Sequence, residues 1–276
     1  MEIVNVEHLT KVFPLKKRLF SKEQPYVRAV DEISFTIEKG KILGLVGESG
    51  CGKTTIAKLL VRLLHPTGGK ISIRGKDIAD LQGEKLKKFR KNIQMIFQDP
   101  YESLNPRLTI HSTIAEPLIA QGLYSPEKIH EALEVVGLKP PEGFFYRYPH
   151  ELSGGQRQRV AIARALVIEP IFVVADEPTS MLDVSIRAGV LNLMLALKKR
   201  FELTVLFVTH DLAVARYMCD DIAVMHRGKI VEIGNAEDVI QNPKHSYTKA
   251  LLSAVPIPNP KAKRKRIRAR EKVICI

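Results

Sequence analysis

Two kinds of apolar pattern alternate along the chain. Nearly continuous apolar runs occur at Ile42-Leu43-Gly44-Leu45-Val46, Ile93-Gln94-Met95-Ile96-Phe97, Pro170-Ile171-Phe172-Val173-Val174-Ala175 and Leu203-Thr204-Val205-Leu206-Phe207-Val208-Thr209. Runs without polar alternation are the mark of strands covered on both faces, as in a parallel sheet. Shorter alternating segments predict exposed-edge β structure beside that core: Ile3 to Leu9, Val30 to Ile37 with Ile33, Phe35 and Ile37 on one face, Lys70 to Gly75, and Ile222 to His226 paired with Lys229 to Ile233 across Arg227-Gly228. Helical spacing marks Ile56 to Leu64, Lys85 to Lys91, Glu127 to Val136, a helix opened by Ser153 and running through Arg157 to Leu166, Val184 to about Arg200, a helix from His210 to about Cys219, Ala236 to Gln241 and Ser246 to Ala254. The methionines near the 184–200 helix read as core filler. Residues from about 101 to 165 are helical with Pro and Gly punctuation, and a basic loop bounded by Pro14 and Pro25 separates the first two strands, Phe13 ending the first. The pattern as a whole is α/β: a mainly parallel core, an antiparallel β part and a helical insert.

Chemistry gathers where the apolar runs stop. After Val46 comes Gly47-Glu48-Ser49-Gly50-Cys51-Gly52-Lys53-Thr54-Thr55, then a helix; strand, glycine loop and helix are the context in which G-x-x-x-x-G-K-[ST] is credible. Its backbone N–H groups can converge on phosphate oxygens at a helix N-terminus. Lys53 can reach the outer phosphates, and the Thr54 hydroxyl suits a magnesium ion beside them. The run ending at Ala175 continues into Asp176-Glu177, and two acids at the carboxyl end of a central strand suggest a division of labour. Asp176 would hold magnesium through water and Glu177 would polarise the water attacking a γ-phosphate. The strand ending at Thr209 runs into His210, which either senses that phosphate or is a satisfied polar group. Gln98 follows another strand end and by itself is an amide meeting water. Leu152-Ser153-Gly154-Gly155-Gln156 is a second candidate anion nest, or an N-cap with a glycine turn. Cys51 sits at a helix N-terminus, which would lower its thiol pKa, or merely fills an unconstrained loop position.

Composition narrows the class. With 276 residues the chain can bury a sizeable core, and no apolar stretch approaches the roughly 20 residues that cross a bilayer. The first residues do not read as a signal peptide, so a cytosolic chain is expected. Cys51, Cys219 and Cys275 show no paired spacing for a disulfide framework or a zinc site. The net charge of +13 is concentrated: residues 261–276 hold +7, leaving +6 for the rest. Without aromatic residues for base stacking, the basic run reads as a solvated tail in preference to a nucleic-acid grip.

Taken in order, the glycine loop, Gln98, Leu152 to Gln156, Asp176-Glu177, Asp183 and His210 make the chain resemble the ATP-binding-cassette (ABC) ATPases over residues 1–255. The resemblance implies a P-loop nucleotide-binding fold, with nucleotide core and β subdomain at 1–95 and 166–240, a helical subdomain at about 96–165, and a Pro-rich then basic tail at 256–276. It implies ATP and Mg2+ as cofactors. Catalytic work falls to Glu177, His210, Lys53 and Gln98. Metal contact falls to Thr54, Gln98 and Asp176, and nucleotide contact to residues 47–55, to Asp183 and to Phe13 stacked on adenine, with Tyr26 as fallback. It further implies that Ser153, Gly154, Gly155 and Gln156 address the nucleotide of a second ATPase subunit, so that a monomer is nearly inactive, and that Gln98 reports nucleotide state to a transmembrane partner.

A narrower likeness is to the ATPase subunits of oligopeptide, dipeptide and nickel importers. It is carried by Asp99 to Arg107, Arg147 to Leu152 and His245 to Pro256, with small departures at Ser246 and Met181. It implies a peripheral subunit on the cytoplasmic face, two permease subunits and an extracytoplasmic binding protein. Only Cys275 stands in the tail where many relatives carry a cysteine-rich iron–sulfur segment, so no cluster is expected. Peptide is the expected cargo; the competing expectations are an importer of nickel or oligosaccharide, and a soluble cassette acting on nucleic acid, which would show salt-sensitive binding lost with residues 261–276.

Overall fold

The structure, a computed structural model, describes residues 1–15 and 24–254. The expected Pro14–Pro25 loop and the basic tail therefore lie largely outside the described residues. The chain opens with two paired strands, β1 (Glu2–Pro14) and β2 (Tyr26–Glu38), both longer than the apolar alternation predicts. Antiparallel pairing carries on past the buried positions to Phe13 against Val27 and Pro14 against Tyr26, where burial is slight and leaves no signal in the sequence. Phe13 accordingly stands inside the strand. There follow β3 (Ile42–Val46), α1 (Lys53–Leu60), β4 (Gly68–Ile73), β5 (Lys76–Asp77), α2 (Gly83–Asn92) and β6 (Ile93–Ile96).

Helices α3 (Pro100–Ser103), α4 (Ile110–Ala120), α5 (Pro126–Val135), α6 (Glu142–Phe145) and α7 (Gly154–Leu166) fill the interval before β7 (Phe172–Asp176). Then come α8 (Val184–Phe201), β8 (Thr204–Thr209), α9 (Leu212–Met218), the hairpin β9 (Asp221–His226) and β10 (Lys229–Asn235), α10 (Ala236–Gln241) and α11 (Ser246–Ala254). Starts are capped by the expected residue types: Asp99, Thr109, Ser125, Ser153, Asp211 and Asn235 each accept a backbone N–H with their side chains.

A six-stranded sheet has the order β10-β9-β3-β8-β7-β6, parallel except for the β9–β10 hairpin. A separate four-stranded antiparallel sheet has the order β2-β1-β4-β5. Every residue of β3, β7 and β8 is buried, which is why those sequences show no polar alternation. Their two faces nonetheless meet different partners. Ile42, Val46, Val173, Ala175, Val205 and Phe207 join one apolar cluster with Ile110, Ile114, Leu118, Leu133 and Val160 of the helical segment. Leu43, Leu45, Phe172, Val174, Leu206 and Val208 join a second with α1 and with Val6, Leu9, Phe35 and Ile71 of the antiparallel sheet. The helices of residues 100–166 thus share their core with the parallel sheet. Of the methionines near α8, Met194 is buried but Met181 is exposed, so only the former is core filler.

Parallel strands place all their carboxyl ends on one edge of a sheet. Gly47 follows β3, Gln98 lies two residues past β6, Asp176 ends β7 and His210 follows β8, so that edge is where the candidate chemistry meets.

Candidate active site

The glycine loop is built by close approach of other strands. A Cβ on Gly47 would lie 2.2 Å from the Met225 carbonyl oxygen of β9. A Cβ on Gly52 would lie 2.2 Å from the Ala29 carbonyl oxygen of β2 and 2.6 Å from Met225 Cε, and Gly52 stands at φ +112°. Gly50 has open space and needs glycine only for its φ of +79°. The Gly228 N–H, in the β9–β10 turn, donates to the Cys51 carbonyl at 3.0 Å. Wedged so, the loop turns into α1 with Lys53 as the first helical residue. Lys53 is 5% exposed, and its ammonium donates to the carbonyls of Gly47 at 2.7 Å and Glu48 at 2.8 Å. Among the described residues it forms no ion pair. A buried ammonium whose partners are two carbonyls and, at 3.9 Å, the Cys51 sulfur, none of them charged, favours an anion beside it.

Thr54 and Asp176 meet across the sheet edge, the Thr54 hydroxyl donating to Asp176 Oδ1 at 3.3 Å. Asp176 is buried, and that burial raises its pKa above the ordinary carboxylate value, the Thr54 bond opposing it. A carboxyl with a raised pKa holds its proton more tightly in the fold than in the unfolded chain. Its cost to stability is absent below the unfolded pKa and complete once pH has risen through the folded one. Asp176→Asn is therefore expected to raise the thermal midpoint of the nucleotide-free chain at neutral pH. Calorimetry checks this, and a lowered midpoint would contradict it. A buried carboxylate beside a hydroxyl is also a pair of hard oxygen donors of the kind magnesium takes.

Glu177 turns away from its neighbour. It stands at φ +44°, its N–H donating to the Val208 carbonyl at 3.0 Å, and its carboxylate faces the next two strand ends. Glu177 Oε2 lies 2.9 Å from His210 Nδ1 and accepts Gln98 Nε2 at 3.5 Å. A left-handed backbone at a residue other than glycine costs about 1–2 kcal/mol, the kind of local strain that occurs where a side chain must be aimed. The two acids are thereby separated in orientation, Asp176 toward Thr54 and Glu177 toward His210 and Gln98. His210 is 58% exposed at its side chain and Glu177 15%, so the histidine stands at the rim with the carboxylate behind it.

Other expected residues lie apart from this cluster. Among the described residues no hydrogen bond joins Ser153, Gly154, Gly155 or Gln156 to the glycine loop. Ser153 and Gln156 instead form a reciprocal capping box, at 3.0 and 3.3 Å, that starts α7. A Cβ on Gly155 would meet Ile186 Cγ2 at 2.5 Å, so the small residue lets α7 approach α8. Asp183 is exposed at the start of α8 and its side chain caps nothing. Phe13 lies under the Lys11 ammonium, 5.1 Å from its ring centroid, and Tyr26 is exposed opposite Pro14. Cys51 departs from the lowered thiol pKa that a helix N-terminus suggests: the side chain is 8% exposed, and desolvation raises the pKa against the pull of Lys53.

Two features near the site have no local sequence signal. Tyr101, three residues past Gln98, packs its ring 3.7 Å from the Arg157 guanidinium carbon of α7 and is hydrogen-bonded to it. Arg164, in the last turn of α7, donates to the Ser103 carbonyl at 2.9 Å, so α3 is fastened to α7 at two points. The second feature is Tyr247, whose hydroxyl meets the glycine loop from the far end of the chain.

A family profile described as "ABC transporter" matches residues 30–180, from β2 through the glycine loop to the acid pair. The chain belongs to the ABC transporter family. A second profile, "Oligopeptide/dipeptide transporter, C-terminal region", matches residues 231–274. Among curated ABC proteins the chain is 49% identical over 271 residues to the oligopeptide transport ATP-binding protein AppF of Bacillus subtilis, covering 96% of this chain and 82% of that one. It is 47% identical to the dipeptide transport ATP-binding protein DppF of Haemophilus influenzae, covering 96% and 82%. Among solved structures it is similar to the dimeric post-hydrolysis state of the ATP-binding cassette MJ0796 bound to ADP and Pi, at TM-score 0.73 and 31% identity over 85% of this chain and 99% of that one. The α/β architecture is thus that of an ABC ATPase cassette. Among the described residues no helix is long and apolar enough to cross a membrane.

Proposed function

We propose that this chain is the ATP-hydrolysing subunit of a peptide importer. The observation that carries the reading is the Glu177 carboxylate, held between His210 and Gln98 on the same sheet edge as the Lys53 loop. The names of the oligopeptide and dipeptide relatives and the C-terminal profile support peptide as the cargo. The glycine cradle fits a nucleotide's phosphates, since side chains at Gly47 or Gly52 would displace the backbone that lines it. Thr54 and Asp176 fit magnesium, and Gln98, on the same sheet edge, would be a further ligand; the ion would neutralise phosphate charge when bound.

Glu177 then orients and deprotonates the attacking water, and His210, hydrogen-bonded to it, holds the carboxylate and faces the γ-phosphate side of the pocket. Lys53 draws charge toward the loop. Ser153, Gly154, Gly155 and Gln156, with Asp183, act across a pair of cassettes, an assignment supported by the absence, among the described residues, of any hydrogen bond between them and the chain's own glycine loop and by the dimeric state of the similar cassette. Phe13 carries the adenine. Two permease subunits anchor the pair at the cytoplasmic face of the membrane, and a binding protein delivers the peptide from outside. The Cys275 position and the tail's role lie outside the described residues.

His210→Ala tests the arrangement with binding held apart from chemistry. It is expected to lower ATP turnover about 10²-fold and leave ATP affinity within about twofold, because the ring acts on Glu177 and not on the loop. Turnover by the complex purified from membranes, beside equilibrium ATP binding, gives both numbers. Unchanged turnover would remove His210 from the mechanism, and a chain recovered with nucleic acid in place of membrane proteins would remove the importer.

A further inference from the structure

The glycine loop has a neighbour that hydrolysis does not use. The Tyr247 hydroxyl accepts the Glu48 backbone N–H at 3.2 Å, across 199 residues of sequence. The Tyr247 ring packs on His226, with centroids 3.9 Å apart. His226 ends β9, whose Met225 carbonyl crowds Gly47 and whose following turn donates to Cys51. The base of the loop is therefore wedged by β2 and β9, but its tip is not: Glu48, Ser49 and Gly50 are exposed, and a Cβ on Gly50 would meet nothing within 4 Å. Lys53 and the Cys51 N–H hold the Glu48 carbonyl from within the loop, and the phenol holds the Glu48 N–H from outside it.

Tyr247 is itself held in place. It is the second residue of α11, and its N–H donates to His245 Nδ1 at 3.1 Å. The N–H groups of Lys244 and His245 donate to the two carboxylate oxygens of Glu232, on β10, at 2.8 and 3.0 Å. Thr248, next in the helix, is fully buried. A continuous chain of contacts therefore runs from β10 through the start of α11 to the first turn of the loop.

We propose that Tyr247 is a positioning residue for nucleotide binding, its hydroxyl fixing the first turn of the phosphate loop and so coupling α11 to nucleotide affinity. The proposal rests on the ATP-binding reading above. An exposed glycine-rich tip loses conformational freedom when phosphate oxygens align its amides, and a contact that orders it beforehand lowers that cost. Coupling of this kind is reciprocal: nucleotide bound at the loop must stabilise the start of α11 by the same factor.

The test uses the full chain, a fluorescent ADP analogue, and the variants Tyr247→Phe, Glu232→Gln and both together. Tyr247→Phe is expected to weaken ADP binding about fivefold, the effect of one hydrogen bond. Glu232→Gln should weaken it by a similar factor through the same contact, and the double variant should bind no worse than the weaker single one. Hydrogen exchange supplies the readout that a merely structural role would not move: ADP should slow exchange across residues 246–254 in the wild type and not in Tyr247→Phe. Wild-type affinity in Tyr247→Phe, additive losses in the double variant, or α11 exchange indifferent to ADP would each overturn the proposal. Failure of the wild type to bind ADP would instead overturn the nucleotide reading, and the proposal with it.

Discussion

Glu177→Gln is expected to stop ATP turnover while ATP binding persists, so that ATP-bound cassette pairs accumulate. The substitution keeps the side chain's shape and leaves the Gln98 and His210 neighbours with a partner, but removes the basic oxygen. In the structure that oxygen is Oε2, 2.9 Å from His210 Nδ1 and 3.5 Å from Gln98 Nε2, on a residue with a left-handed backbone. Loss of a positioned general base lowers turnover by about 10²–10⁴-fold. Since, among the described residues, no hydrogen bond or ion pair joins Lys53 or the loop to Glu177, affinity should remain within about twofold of wild type. Phosphate release by the purified complex measures the first effect. Gel filtration of the isolated chain in Mg-ATP measures the second, as a shift to the dimer that the wild type does not sustain. Activity surviving in the variant would take the water-activating role from Glu177, and the whole assignment of the strand-end acids would then have to be redrawn around Asp176.

How much of this could be read from residues alone depends on how local the physics is. Phe172 to Ala175 and Val205 to Val208 are buried on both faces, so their apolar runs announce central strands, and the residues just past such strands in a parallel sheet are forced to one edge. That is why Asp176, Glu177 and His210 could be grouped before any geometry was known. The far ends of β1 and β2 carry no such signal, because Phe13 to Pro14 pair with Tyr26 and Val27 in a part of the ribbon that buries little. Cys51 shows two local effects of opposite sign: the helix N-terminus and Lys53 lower a thiol pKa, burial raises it, and only the fold shows that burial prevails. Tyr101 on Arg157 and Tyr247 on Glu48 were illegible for another reason. Each pair is distant in sequence, and an aromatic residue in a loop or at a helix start has no pattern that names its partner. The same is true of the division between Asp176 and Glu177, which comes from the sign of one backbone angle.

The glycine loop itself should be the least tolerant part of the molecule, and unevenly so. Gly52→Ala is expected to cost about 10²-fold or more in ADP affinity, because it combines a backbone at φ +112° with a Cβ 2.2 Å from the Ala29 carbonyl oxygen, and a shift of Gly52 to relieve that contact moves Lys53, the next residue. Gly50→Ala meets nothing within 4 Å and carries only the penalty of a positive φ, about 1–2 kcal/mol, so its loss should stay near tenfold. The comparison isolates steric displacement of the cradle from backbone preference, since both residues belong to the same short loop and both need a left-handed angle. Equilibrium binding of ADP to the two variants, with circular dichroism to show that each retains the fold, makes the measurement. If Gly50→Ala were the more damaging of the two, the loop's shape would be set by its exposed tip and not by the strands that wedge its base. The close approach of Ala29 and Met225 would then have no bearing on phosphate binding.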